Sequence, residues 1–326
     1  MKILIVKTSS LGDLIHMLPA LSDAQQALPG LQADWVAEAP FADIPRWHPA
    51  VQQVIPIAMR RWRQAWRSRQ TWQEIGATRA QLRAQRYDAV VDSQGLLKSA
   101  LWSLQARGPR IGYDRHSARE PLAAWCYQHH CPVPRAQHAV ARNRQLLAEA
   151  LGYALPDSGP DYGLRGLARR LPALDFLPPA HCVVGLHGTS RDDKLWPTER
   201  WIALAQSLQA QNRQLLLPWG NEAEQTRAHT IAQHSPAARV LPRLGLNALA
   251  QVIDAADAVV GVDTGLLHLA AALGKPGLAL YTATPPALTG AISDRCAPLP
   301  LRNFSRQDEL QAAHVGQALR ELLPQV

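Results

Sequence analysis

Ala258-Val259-Val260-Gly261-Val262-Asp263-Thr264-Gly265-Leu266-Leu267-His268-Leu269-Ala270-Ala271-Ala272 states the architecture most clearly. Its first part is apolar and β-branched, the composition of a strand buried on both faces of a parallel sheet. Its last part is rich in Leu and Ala, which enter a helix at little cost. Between them, Asp263-Thr264-Gly265 makes a strand-to-helix turn. Free N–H groups at a helix start point at whatever lies ahead of them, so such a turn can seat an anion. In open α/β sheets, ligands bind at this carboxyl end of the strands. A simpler reading also stands: Asp263 or Thr264 caps the helix and does nothing else.

The same rhythm extends outward. Residues 181–187 read as a strand, 188–196 as a polar loop and 198–210 as a helix. Strand 214–217, helix 222–233, strand 239–241 and helix 246–255 follow. Beyond the quoted stretch come a strand at 276–281 and a terminal helix at 307–323. Upstream, residues 156–180 are rich in Pro, Gly and Asp without a sustained period, and they form the natural boundary. The N-terminal half opens in the same way, with strand 2–6, a Gly/Ser turn at 8–13 and a helical pattern over 14–27 built on Leu14, Leu18, Leu21 and Leu28. Pro19 kinks that pattern or restarts it. Strands 33–37 and 51–57 follow, then strand 87–92, a turn into helix at 93–99, a short strand at 110–113 and an amphipathic helix at 138–151 ended by Gly152. The fold class is α/β: two Rossmann-like domains, 1–165 and 166–326, facing a central cleft. The last helix is expected to pack back on the N-terminal domain. No internal repeat is visible in the sequence.

The chain of 326 residues is 47% hydrophobic, enough for two cores and too much for global disorder. No apolar run reaches membrane-spanning length, and the first residues read as a strand rather than a signal peptide. Cys126, Cys131, Cys182 and Cys296 lack C-x-x-C or zinc spacing, which points to a reduced, cytoplasmic setting. The net charge of +8 is uneven: residues 1–165 carry 20 Lys and Arg against 13 Asp and Glu, and residues 166–326 carry 14 against 13. The N-terminal half therefore meets something anionic. Residues 60–86 concentrate this charge, with eight arginines against one acid, Glu74. Trp62 and Trp66, four apart, are expected on one helical face, with Trp72 further along. The candidate partners are nucleic acid, an anionic membrane surface or an acidic substrate. No RNP, KH or helix-turn-helix signature is present, so nucleic acid is not expected. No G-x-G-x-x-G follows either first strand, which disfavours a nicotinamide dehydrogenase.

Four ordered motifs carry a family resemblance. They are Lys7-Thr8-Ser9-Ser10-Leu11-Gly12-Asp13-Leu14-Ile15-His16 with Leu18-Pro19-Ala20-Leu21; His187-Gly188-Thr189-Ser190-Arg191-Asp192-Asp193-Lys194-Leu195-Trp196-Pro197; Leu217-Pro218-Trp219-Gly220; and Val262-Asp263-Thr264-Gly265-Leu266-Leu267-His268. Together they resemble the lipopolysaccharide heptosyltransferases of glycosyltransferase family 9, most closely the branch that adds the first heptose. The resemblance implies the GT-B fold, with acceptor bound N-terminally and donor C-terminally. It implies transfer of L-glycero-D-manno-heptose from ADP-heptose to the Kdo residue of Kdo2-lipid A, with inversion and without metal or cofactor. The implied location is peripheral, on the anionic cytoplasmic face of the inner membrane.

The residues then take candidate roles. Glycosyl transfer needs a base for the acceptor hydroxyl and neutralisation of the departing phosphate. Asp13 is the candidate base. It follows Gly12 in the turn after the first strand, and the family places its base there; a helix cap is the alternative. Lys194, in a cationic loop after a strand, brings a mobile ammonium that suits a leaving diphosphate, with Thr189 and Ser190 adding hydroxyl donors. The Asp192-Asp193 pair is flanked by Arg191 and Lys194 and calls for no metal. Thr264, Gly265 and the helix start would seat the diphosphate. Asp263 is expected to turn toward a sugar hydroxyl or the turn backbone. His268, one helical turn on, either donates to the donor or packs in the core. By resemblance Glu224 takes ribose hydroxyls, although the spacing also admits Glu222, and Leu244 lines the adenine pocket. Ser10, Gly12, Arg60, Arg61, Arg63 and Arg119 fall on the acceptor side, the arginines suiting carboxylate and phosphate. A later-acting heptosyltransferase and a nucleotide-sugar epimerase of the same fold are the alternatives. A nucleic-acid-binding protein using 60–86 is remote.

Overall fold

Six short parallel strands, Lys2–Val6 (β1), Gln32–Glu38 (β2), Val51–Ile57 (β3), Ala89–Asp92 (β4), Arg110–Tyr113 (β5) and His129–Cys131 (β6), form one sheet in the order β3-β2-β1-β4-β5-β6. The computed structural model describes residues 1–324, which form two units, Met1–Gly163 and a second beginning at Leu164. The second sheet comprises Cys182–Leu186 (β7), Gln214–Leu217 (β8), Ala238–Val240 (β9), Ala258–Val262 (β10), Gly277–Leu280 (β11) and Arg302–Phe304 (β12), in the order β12-β11-β10-β7-β8-β9. Counted within its own unit, this is the same order as the first sheet. Each strand order reverses once, between β1 and β4 in the first unit and between β7 and β10 in the second. Ligands bind at such switch points because the flanking connections leave in opposite directions and open a crevice.

The first unit carries helices Leu11–Ile15 (α1), Leu18–Ala27 (α2), Asp43–Arg46 (α3), Met59–Gln64 (α4), Arg69–Ala84 (α5), Leu97–Ser103 (α6) and Ala139–Leu151 (α7). The expected single helix over 14–27 is two. It breaks at His16–Met17, and Pro19 lies at the second position of α2, where a missing N–H costs nothing. α4 ends at Gln64, so Trp62 and Trp66 do not share a face: Trp62 is buried on Trp102, and Trp66 lies beyond the helix and is exposed. α7 ends as expected, with Gly152 in the left-handed region at φ 74°.

The second unit carries Leu167–Arg170 (α8), Thr198–Gln209 (α9), Glu222–Gln233 (α10), Leu246–Ala255 (α11), Gly265–Ala272 (α12) and Ala312–Leu322 (α13). Its core gathers Trp196, Trp201, Leu215, Val260 and Leu278. α13 begins at Ala312, after β12, rather than at 307 as expected. It packs on α9 and β11 of its own unit, with Val315, Leu319 and Leu322 in that same core.

Candidate functional site

The first unit places its charged groups at the switch point. β1 runs into Lys7 and a tight turn, and α1 starts at once. Asp13 sits at the third position of α1, where its Oδ2 accepts from the Ser10 backbone N–H at 3.0 Å, so it does cap the helix. Its other oxygen, Oδ1, accepts from the Arg119 guanidinium at 2.7 Å. One oxygen of the carboxylate thus caps the helix while the other faces a guanidinium. Burial raises the affinity of this group for a proton. The charges of Lys7 and Arg119 and the Ser10 hydrogen bond outweigh burial and hold the carboxyl below its usual range. Asp13 is ionised at neutral pH. Gly12 is buried inside α1.

Lys7 is not apparent from sequence as a site residue. It is buried beneath Asp13, and its ammonium donates to Ser93 O at 2.8 Å and Asn143 Oδ1 at 3.3 Å. Burial pushes its pKa down to about 8, although Asp13 pulls the other way. Gln94, in the turn after β4, stitches the switch point together: its amide oxygen accepts from Thr8 N–H at 3.0 Å, and its amide nitrogen donates to Ser9 O at 2.6 Å. Asp92 anchors that turn, accepting from the backbone of Gln94 and the hydroxyls of Ser99 and Tyr127. Both turns follow strands that pair with each other, and it is this pairing that brings Lys7, Gln94 and Asp92 together.

The arginines of 60–86 are not equivalent. Arg61 makes a bidentate pair with Glu74, at 3.1 and 2.6 Å, and the Trp62 indole N–H donates to the same carboxylate at 2.7 Å. The arginine expected to stand free for an acceptor is occupied, and the lone acid of the stretch ties α4 to α5. Those hydrogen bonds from Arg61 and Trp62 lower the Glu74 pKa to about 2. Arg60 and Arg63 are exposed. Arg60 lies near Glu38 at the carboxyl end of β2, where burial raises the Glu38 carboxyl and Arg60 acts against that rise.

In the second unit the turns after β7 and β10 meet. The Thr189 hydroxyl donates to Asp263 O at 2.9 Å, and the Lys194 ammonium donates to Asp263 Oδ2 at 2.8 Å. Asp263 therefore faces Lys194, not the turn backbone. Its charge is paired with that of the Lys194 ammonium. Ser190 is exposed beside Thr189. Thr264 stands at the cap position of α12 in an extended conformation, with Gly265 the first helical residue. Next to it is a pocket of about 120 Å³ lined by Trp219, Glu224, Leu244, Thr264 and Leu266, among others. Glu224, not Glu222, reaches that pocket. It is held there by the Gly220 N–H at 2.7 Å. Gly188 leaves room for it, since a Cβ at that position would lie 2.5 Å from the Glu224 carboxyl carbon. His268 is buried in α12 and does not line the pocket. His187, also buried, is pushed down to about 4 by burial and by Arg227, so it is neutral. Among the described residues, no group of three or more His, Cys, Asp or Glu could hold a metal ion.

The family model described as glycosyltransferase family 9 (heptosyltransferase) matches residues 75–315. A lipopolysaccharide heptosyltransferase 1 of Pseudomonas aeruginosa is 50% identical over 89% of this chain and 81% of its own length. Among solved structures, the E. coli heptosyltransferase WaaC with ADP superposes with a TM-score of 0.90 at 44% identity, covering 99% of this chain and 100% of that one. The same E. coli enzyme with ADP-2-deoxy-2-fluoro heptose gives 0.86 at 43% identity, covering 98% and 99%.

Proposed function

Because the chain belongs to glycosyltransferase family 9, the heptosyltransferases of lipopolysaccharide biosynthesis, we propose that it transfers L-glycero-D-manno-heptose from ADP-heptose to the Kdo residue of Kdo2-lipid A. The observation that carries this reading is Asp13, a switch-point carboxylate kept ionised between Lys7 and Arg119. Asp13 takes the proton of the acceptor hydroxyl as that oxygen attacks the anomeric carbon. The bond from that carbon to the phosphate oxygen breaks, ADP leaves with the electron pair, and the configuration inverts in one displacement. Arg119 orients Asp13 and, with Arg60, Arg63 and a released Arg61, meets the acceptor's carboxylates and phosphates. Ser10 and Gly12 complete the acceptor side, in the first unit.

The second unit binds the donor in this reading. Likeness to structures holding ADP and an ADP-heptose analogue supports that assignment. Lys194, Thr189, Ser190, Thr264 and Gly265 neutralise the growing diphosphate charge. Glu224 accepts from ribose hydroxyls, Leu244 packs on the base, and Asp263 holds Lys194 in place. His268 acts by packing α12. No metal is required, since the leaving charge is met by Lys194 and backbone N–H groups. No described helix is long and apolar enough to cross a membrane. The protein works peripherally in this reading, at the anionic cytoplasmic face of the inner membrane, where a lipid-borne acceptor would be presented. Incubation with ADP-heptose and Kdo2-lipid A tests the whole reading. An inverted heptosyl–Kdo linkage is expected in the product. Release of free or epimerised heptose at the same rate without acceptor would overturn it.

A further inference from the structure

We infer that α6 and the turn after Glu120 form an apolar ridge that docks on an anionic lipid bilayer beside the Asp13–Arg119 site. Leu97, Leu101 and Leu104 recur at helical spacing along α6 and its end, and all three are exposed. Leu122 and Trp125, on the adjacent 3-10 turn Pro121–Cys126, are exposed with them; Trp125 is 83% exposed and Leu101 51%. Scattered apolar residues on a surface need no explanation, but five on two touching elements do. The ridge is held rigidly. Ala100 of α6 packs with Ala123, Ala124 and Tyr127 in a small core beneath it. The Glu120 carboxylate accepts from the Leu97 N–H at 2.6 Å and caps α6.

The rim identifies the occupant. Lys98 lies within α6. Gln105, just past Leu104, accepts from Arg79 at 3.0 Å and Arg83 at 3.2 Å, so the basic side of α5 borders the leucines. Glu120, at the start of the adjacent turn, is engaged as a cap, and Glu38, near Lys98, is buried. Exposed Leu and Trp with a cationic border suit an interface of anionic headgroups over acyl chains. A protein groove would not require the net positive rim. Arg119, next to Glu120, pairs with Asp13, so a bilayer held on this ridge lies close to the base.

The test uses the full chain and vesicles of phosphatidylglycerol with phosphatidylcholine. The wild type is expected to co-sediment with them, and roughly tenfold less with phosphatidylcholine alone. Leu101→Ser with Trp125→Ser is expected to weaken that binding by roughly tenfold or more. For turnover, the inference rests on the proposed heptosyl transfer. The double variant should lose turnover on acceptor embedded in vesicles and keep it on a de-acylated, soluble acceptor. An unchanged melting temperature and an unchanged thermal shift with ADP show that it folds. Vesicle binding equal to wild type overturns the inference. So does a variant that differs only in self-association without lipid, which would make the ridge a contact between copies. Failure of the transferase reading looks different: neither acceptor is glycosylated, while vesicle binding still separates wild type from variant.

Discussion

Lys7 shows how one residue can set the character of a site from beneath it. Its ammonium is buried, hydrogen-bonded to a carbonyl and an amide oxygen, and depressed to about 8 mainly by burial. Between about 8 and the ordinary lysine value of 10.5, the unfolded chain keeps a proton that the native state has lost, so stability rises with pH there. Below pH 8 the buried charge is a standing cost on the order of 3 kcal/mol. Denaturant titrations of wild type and Lys7→Met across this range should diverge, the wild type gaining relative to the variant; parallel curves would contradict the burial. Gly188 is a second such position. Gly188→Ala would push the Glu224 carboxylate out of its pocket and off the Gly220 N–H. ADP affinity measured calorimetrically is expected to fall roughly tenfold, with stability changed by about 1 kcal/mol or less. Asp13 is legible in the sequence as a candidate because it follows Gly12 at a strand end. Lys7 is not, since a lysine closing an apolar run reads as a solvent-facing strand end. The Lys194–Asp263 pair is not legible either. The partners lie 69 residues apart, and only the pairing of β7 with β10 brings their turns together.

Among the helices, Glu74 joins two that the sequence presents as one basic stretch. It receives the Arg61 fork, the Trp62 indole and the Gln70 amide. Glu74→Ala should lower the thermal midpoint, because the Trp62 N–H loses its acceptor. Glu74→Gln should lose less, keeping an acceptor oxygen but not the charge. Scanning calorimetry at neutral pH separates the two, and no effect from either would show that α4 is held by Trp62 packing alone. The long helices α7 and α10, and β10 with its continuous apolar run, are readable to within about a residue or two, the usual uncertainty of helix and strand ends. β6 (His-His-Cys) and β12 (Arg-Asn-Phe) are not, because each is short and mostly polar, whereas the equally short β9 is marked by the apolar Val240 and by Leu241 beside it. The break between α1 and α2 is ambiguous in the sequence, since Pro19 both interrupts one helix and suits the start of another.

Across the whole molecule, two units share one strand order without a visible sequence repeat. The repeat lies in the order of elements, and that order is legible from the alternating strands and helices. The charge, by contrast, is not shared evenly, and the net positive charge is concentrated in the first unit. Raising salt until the Debye length falls from about 10 Å to about 3 Å should raise the KM for a lipid-borne anionic acceptor severalfold, and change the KM for the donor much less. Steady-state kinetics at several ionic strengths check this; equal sensitivity of both would place the acceptor elsewhere.

Asp13→Asn isolates the role of the Asp13 carboxylate as base. The amide oxygen of Asn can still accept from the Ser10 N–H, so α1 keeps its cap while the proton acceptor is lost. The decisive measurement is the single-turnover rate of heptose transfer from ADP-heptose to Kdo2-lipid A, with ADP affinity measured in parallel. The rate should fall by roughly two to four orders of magnitude while the affinity stays unchanged. A rate close to wild type would show that Asp13 only caps a helix, and that the base lies elsewhere.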